Sequence, residues 1–208
     1  LRVLGGTGIV FQDMIFHSMD TYSSYYDGGV MYASNSPSVE FDRCIFHNNE
    51  SGDMASVIYW NSSGTLTMKN CLVYENTAVD DAHIYIYAGT SNITNCTFAD
   101  NGSCPEGTVY SRGTTTINNC IFDGNSSDSW LRLGVVGTGL SNITISDMTI
   151  KDMTSDNGGG GGIRLRHSVD GTANGTSSAS CGPVSLVIED MKFENCDGES
   201  GTDTHDRG

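Results

Sequence analysis

The chain has 208 residues, 25 acidic against 10 basic, for a net charge of −15. That balance argues against nucleic acid as a partner, since a phosphate backbone needs basic residues to displace its counterions. Ser and Thr total 45, Gly 26 and Asn 16, against 3 Lys, a profile of turns and strands that excludes a helical bundle.

From the first residues onward the chain repeats itself. Leu66-Thr67-Met68-Lys69-Asn70-Cys71-Leu72-Val73-Tyr74-Glu75-Asn76 defines a frame with Cys71 as its reference, and the frame recurs around Met14, Cys44, Cys96, Cys120, Met148 and Met191. The spacings are 30, 27, 25, 24, 28 and 43 residues. Three residues before the reference stand Phe11, Phe41, Met68, Ile93, Ile117, Ile145 and Ile188. Two after it stand Phe16, Phe46, Val73, Phe98, Phe122, Ile150 and Phe193, so both columns are apolar throughout. The position just before the reference is polar or charged in every unit: Asp13, Arg43, Asn70, Asn95, Asn119, Asp147 and Asp190. Alternation on either side of a polar corner predicts two short strands on different sides of a coil. A third strand follows in each unit, as in Gly29-Val30-Met31-Tyr32, Val57-Ile58-Tyr59, Ile84-Tyr85-Ile86-Tyr87, Thr108-Val109-Tyr110, Leu131-Arg132-Leu133 and Ile163-Arg164-Leu165. Three strands per repeat describe a right-handed parallel β-helix. The expectation is an all-β solenoid of about seven coils, a rod about 30 Å long at one strand spacing per coil. It spans residues 1–208 as one segment of a longer chain, with a polar loop inserted at 168–183.

The units Asn95-Cys96-Thr97-Phe98-Ala99-Asp100-Asn101 and Asn119-Cys120-Ile121-Phe122-Asp123-Gly124-Asn125, with Gly28-Gly29-Val30-Met31-Tyr32 and Gly161-Gly162-Ile163, resemble the pectin-lyase-like superfamily. They are most similar to the repeats of polymorphic membrane proteins and related surface β-helices. The resemblance implies the solenoid fold and leaves the role open, because one solenoid carries many functions.

Several side-chain roles follow from the frame. Met14, Cys44, Cys71, Cys96, Cys120, Met148 and Met191 form an inward stack, and a column that accepts Met or Cys asks for a soft apolar side chain. The four cysteines in it are expected to be buried thiols. Cys104 and Cys181, read as loop residues, and Cys196 are the disulfide candidates. Asn49, Asn76, Asn101 and Asn125 recur five residues after the reference and predict an inward ladder of amides at a bend. Eight Asn-x-Ser/Thr sequons occur. Those at Asn49, Asn101 and Asn125 are blocked by the ladder, while Asn92 and Asn142 fall at outward offsets and Asn61 and Asn174 in loops. These last four are the expected glycosylation sites.

No catalytic residue, metal site or cofactor is expected. The doublet Asp80-Asp81 lacks the partners that accompany it in polygalacturonases, and Arg132 and Arg164 share no strand with an acidic cluster. The five histidines show no nucleophile or ligand pattern, with His17 and His47 stacking outward. Asn157-Gly158-Gly159-Gly160-Gly161-Gly162 lacks the Lys-Ser/Thr of a phosphate loop. Tyr32, Tyr59, Tyr85 or Tyr87, and Tyr110 recur on the third strand. Facing outward they form an aromatic strip. Facing inward they are core, the reading favoured for most of them.

These features predict a non-enzymatic, extracellular or cell-surface structural module. It is glycosylated, without a membrane span in this segment, and joined through open solenoid ends to other β-helix segments or to copies of itself in a filament. A carbohydrate-active lyase or hydrolase is the second reading and an adhesin the third.

Overall fold

A computed structural model describes residues 1–5, 8–21, 28–35, 38–80, 82–102, 104, 107–126, 131–136, 142–155, 163–168 and 185–198. All pairing among them is parallel and there is no helix. The chain is an all-β parallel solenoid whose turns present three strand faces.

The first face stacks Ile9–Gln12, Ser38–Asp42, the second half of Ala55–Lys69, the second half of Ala82–Thr94, Thr114–Asn118, and the first halves of Asn142–Lys151 and Ser185–Glu194. The second face stacks the short strands Ile15–His17, Ile45–His47, Leu72–Tyr74, Thr97–Ala99 and Ile121–Asp123 and runs on into the ends of the last two long strands. The third face stacks Arg2–Val3, Met31–Ser34, the first halves of Ala55–Lys69 and Ala82–Thr94, Gly107–Ser111, Leu131–Val136 and Ile163–Ser168. About four turns are complete among the described residues, fewer than the seven coils that the repeat count predicts. Single faces continue beyond them on both sides. The insert 168–183 lies outside the described residues except Ser168.

Each turn bends at the same two places. The residue before the reference has positive φ in all seven units, from 49° at Asn119 to 56° at Asn70. So has the residue four after it: Ser18, Asn48, Glu75, Asp100, Gly124, Asp152 and Asn195. A left-handed residue re-aims the chain within one step, and Asn and Asp tolerate it best among residues with a side chain. The polar column before the reference therefore marks the first corner. Hydrogen bonding runs through it without a gap: the N–H groups of Asp13, Arg43, Asn70, Asn95 and Asn119 each donate to a carbonyl of the next coil at 3.0–3.1 Å.

Between the corners the inward columns fill the coil. Phe41, Met68, Ile93, Ile117 and Ile145 are fully buried, as are Phe46, Val73, Phe98, Phe122 and Ile150. Rings one coil apart lie face to face, with centroids 5.0 Å apart for Phe16 and Phe46 and 4.6 Å for Phe98 and Phe122. Burying one such ring contributes about 1.5–3 kcal/mol. Trp60 also lies within this core, with its Nε1 unpaired.

Candidate functional site

The reference column occupies the inside of the first corner. Cys44, Cys71, Cys96, Cys120 and Met148 are buried there, Met191 is half-buried, and Met14, in the first described coil, is exposed. Cysteine has a further use here besides bulk. The Sγ–H of Cys44, Cys71, Cys96 and Cys120 donates to the carbonyl two residues back, that of Asp42, Lys69, Thr94 and Asn118, at 3.2–3.5 Å. The thiol thus adds a second hydrogen bond to a carbonyl beside the left-handed corner that already accepts a backbone N–H, which methionine cannot do. Burial raises the Cys44 thiol above its ordinary range. Hydrogen bonds with Cys120 and Cys71, together with burial, raise Cys96 further. The hydrogen bond with Cys96 lowers Cys71 and Cys120 instead, and burial shields all four sulfurs.

The second corner holds the amide ladder. Asn49 Nδ2 donates to Asn76 Oδ1 at 2.9 Å, Asn76 Nδ2 to Asn101 Oδ1 at 3.0 Å, and Asn101 Nδ2 to Asn125 Oδ1 at 2.7 Å. Each Oδ1 also accepts a backbone N–H, from Met19, Asn49, Asn76 and Asn101 in turn, at 3.1–3.2 Å. Each Nδ2 donates as well to a strand carbonyl, that of Phe16, Phe46, Val73 or Phe98. All four residues are buried. The ladder ends where Met153 takes over the position, its sulfur 3.7 Å from Asn125 Nδ2.

A second amide ladder runs along the outside of the first corner. Asn119 Nδ2 donates to Asn95 Oδ1 at 2.8 Å and Asn95 Nδ2 to Asn70 Oδ1 at 3.2 Å. At one end Asn70 reaches Asp42, and Arg43 clasps Asp13 with two nitrogens at 2.7 and 3.0 Å. Further ion pairs join Lys69 to Glu40 and Lys151 to Asp123 across adjacent coils. Arg43 also pairs with Asp42 at 2.7 Å, so three cations serve four carboxylates.

The tyrosines settle into a third arrangement. Tyr32, Tyr59, Tyr85 and Tyr110 pair in register, on the side of the third face opposite the core residues Met31, Ile58, Ile84 and Val109. They are nonetheless buried, apart from the partly exposed Tyr32, in a separate cluster with Ala55, Ala82 and Met54. The favoured inward reading is thus corrected: the ring column is an outer, second core. Arg112 lies over it, 5.0–5.8 Å from the centroids of Tyr85, Tyr87 and Tyr110, and its Nε donates to Tyr110 Oη at 2.9 Å. Arg132 and Arg164 continue the same register.

One pair lies outside the expected sites. His83 and Ser56 are both fully buried, with Ser56 Oγ 2.7 Å from His83 Nδ1, while Nε2 lies 3.1 Å from the Gly102 carbonyl. That carbonyl can only accept, so Nε2 carries the proton and the Ser56 hydroxyl donates to Nδ1. Burial lowers the His83 pKa to about 4, so the ring is neutral. A serine and a histidine in contact could form a nucleophile and its base, yet neither is reachable by a substrate. The pair is a structural clasp beside Thr108, whose buried hydroxyl has no partner. Both residues stand twelve after their reference cysteine, 27 apart like Cys44 and Cys71, and the register between Ala55–Lys69 and Ala82–Thr94 shifts between Ala82 and Ile84.

The remaining expected sites are scattered. Asn61 is half-buried within the strand Ala55–Lys69, not in a loop, and points outward beside Tyr59 and Trp60. Asn92 is half-buried and Asn142 exposed, both outward on the first face. Cys104 is buried. Cys196 is a half-buried thiol at the second corner, donating to the Glu194 carbonyl at 3.4 Å. Asn174, Cys181, Asp81, His205 and the glycine run 158–162 lie outside the described residues. His17 and His47 stack outward at 5.3 Å, and Tyr74 extends the stack at 5.0 Å from His47. Among the described residues no three His, Cys, Asp or Glu side chains converge as metal ligands, and no helix is long and apolar enough to cross a membrane.

Comparison with known proteins adds one finding. A family model described as the right-handed β-helix region matches residues 1–132. No curated protein and no solved structure matches the chain.

Proposed function

Because the chain belongs to the right-handed β-helix family, we propose that it is a non-enzymatic structural module of an extracellular surface protein or filament, of the polymorphic-membrane-protein type. The observation that carries this reading is the use of its buried polar groups. The inner amide ladder holds one coil against the next, and the thiols of Cys71 and Cys120 also reach the carbonyls of Phe41 and Ile93 in the preceding coil. The Ser56–His83 pair is likewise closed off from solvent. The module joins further β-helix segments or copies of itself along its axis. A glycan on Asn61 would stand clear of the stacking direction.

Sizing and electron microscopy of the purified chain over a range of concentrations test the proposal. End-to-end rods that lengthen with concentration are expected. A monodisperse monomer at every concentration, or turnover of a uronan or galactan, would count against it.

Adhesion has one observation in its favour. The outward stack His17, His47 and Tyr74 lies beside Ile15, Ile45 and Leu72 on the second face, an aromatic and aliphatic strip. Binding to cells that His47→Ala or Tyr74→Ala abolishes would establish it.

A further inference from the structure

The outward columns of the first face differ from the rest of this acidic chain. Four successive rows read Thr65, Thr67, Lys69; Thr90, Asn92, Thr94; Thr114, Thr116, Asn118; and Asn142, Thr144, Ser146. Seven of these twelve residues are threonine and one is charged, although Glu40, Asp42 and Glu189 stand in the same columns in the flanking rows. Lys69 is neutralised at 2.6 Å by Glu40.

The rows are in register. Thr90 pairs with Thr65 on one side and Thr114 on the other. Asn92 pairs with Thr67 and Thr116, and Thr116 in turn with Thr144. No bulge interrupts the ladder from Thr90 to Thr94. Side chains two residues apart on a strand are spaced at about 6.7 Å, and strands at about 4.8 Å, so the threonines form a rectangular grid. Those two distances approximate the repeats of oxygen positions on a prism face of hexagonal ice. Threonine is β-branched and stiff at χ1, so each methyl and hydroxyl keeps its place. Beneath the grid, the buried residues Leu66, Met68, Ile93, Ile117 and Ile145 hold the sheet from inside.

The chemistry narrows the occupant. No aromatic ring stands on the grid to stack on a sugar. No cluster of bases meets a polyanion, and no group of carboxylates meets a cation. What fits a rigid, uncharged lattice of paired hydroxyls and methyls is a surface of equally regular water.

We propose that this threonine face binds ice. It does not depend on the rod reading, since it needs only the four rows. The sequons at Asn92 and Asn142 lie on the same face, and a glycan at Asn92 would stand between Thr67 and Thr116, so glycosylation there and ice binding exclude each other.

The test uses the full chain, purified from a host that attaches no N-glycans, in nanolitre osmometry and ice-recrystallisation assays. The chain should shape growing crystals and separate the freezing from the melting point. Thr116→Lys, in the middle of the grid, should remove more than half of that gap. Thr97→Lys, outward on the second face, should leave it unchanged, with both variants keeping the parent circular dichroism and melting temperature. A folded parent without ice shaping overturns the proposal, as does equal loss from both variants. So does pull-down on cellulose or chitin that Thr116→Lys abolishes while ice growth is unaffected, which assigns the face to a polysaccharide. Mass spectrometry finding Asn92 glycosylated in the chain from its natural source overturns it too.

Discussion

Replacing Asn76 by alanine removes the middle of the inner amide ladder without touching the apolar core. Its Oδ1 accepts from the Asn49 backbone at 3.1 Å and from Asn49 Nδ2 at 2.9 Å. Its Nδ2 donates to the carbonyls of Phe46 and Tyr74 at 3.1 and 3.0 Å and to Asn101 Oδ1 at 3.0 Å. Two of these partners keep a second contact, since Asn49 Nδ2 still reaches Phe16 and Asn101 Oδ1 still accepts from the residue 76 backbone. The Asn49 N–H does not, and the Phe46 and Tyr74 carbonyls lose the amide as a donor; at about 1–3 kcal/mol for each buried group left unpaired, two such groups bring the loss to about 2–6 kcal/mol. The outer ladder supplies the control. Asn95 makes comparable side-chain bonds at 2.8 and 3.2 Å, but in solvent. Water replaces them, and Asn95→Ala should cost only the penalty of alanine at a left-handed corner, about 1–2 kcal/mol. Urea denaturation followed by circular dichroism measures both. A double-mutant cycle of Asn76 with Asn101 should show strong coupling. An Asn76→Ala loss no larger than that of Asn95→Ala would refute the assignment of stability to the buried amides.

Acid should weaken the chain through His83. Its pKa is lowered to about 4 in the fold against an ordinary 6.5, so its contribution is intact above pH 6.5 and is lost as pH falls towards 4, by about 3 kcal/mol. A His83→Gln variant whose unfolding midpoint follows pH as steeply as the parent's would contradict this. Glu75 occupies a left-handed corner at φ 53°, where most units have Asn, Asp or Gly. Glu75→Asn should raise stability by about 0.5–1 kcal/mol, read as a shift in melting temperature. Phe98→Ala empties a fully buried position and should cost about 3–5 kcal/mol in urea. Under native conditions iodoacetamide should label Cys196 well before Cys44, Cys71, Cys96 or Cys120, as peptide mapping would show.

The architecture was legible because its strongest constraint is periodic. Inward positions alternate with outward ones on either side of a corner, and Asn or Asp marks that corner in most coils because of its backbone angle. The second corner was harder to see, since Ser18 and Glu75 stand where Asn48, Asp100 and Asp152 do. The tyrosine column misled because alternation reports which side of a strand a residue takes, not whether other chain covers that side. Ser56 and His83 stand at one offset from their reference cysteines, but nothing in the alternation marks that column as polar and buried, so the pair stayed hidden. The threonine grid could be read from the outward columns once the inward ones were fixed. What the solenoid does in its natural setting could not be, because the residues that build coils are the same in every role.

The eleven-residue stretch that carries both bends never varies in length, although the distance from one repeat to the next ranges from 24 to 43. The variation falls instead in two seams, one on either side of the third face. Foreign segments grafted into either seam would emerge along a line stepped at the pitch of the winding, while the bends kept their shape. Such a fold is a ruled scaffold for display, and its tolerance for novelty is set by where its two bends are not.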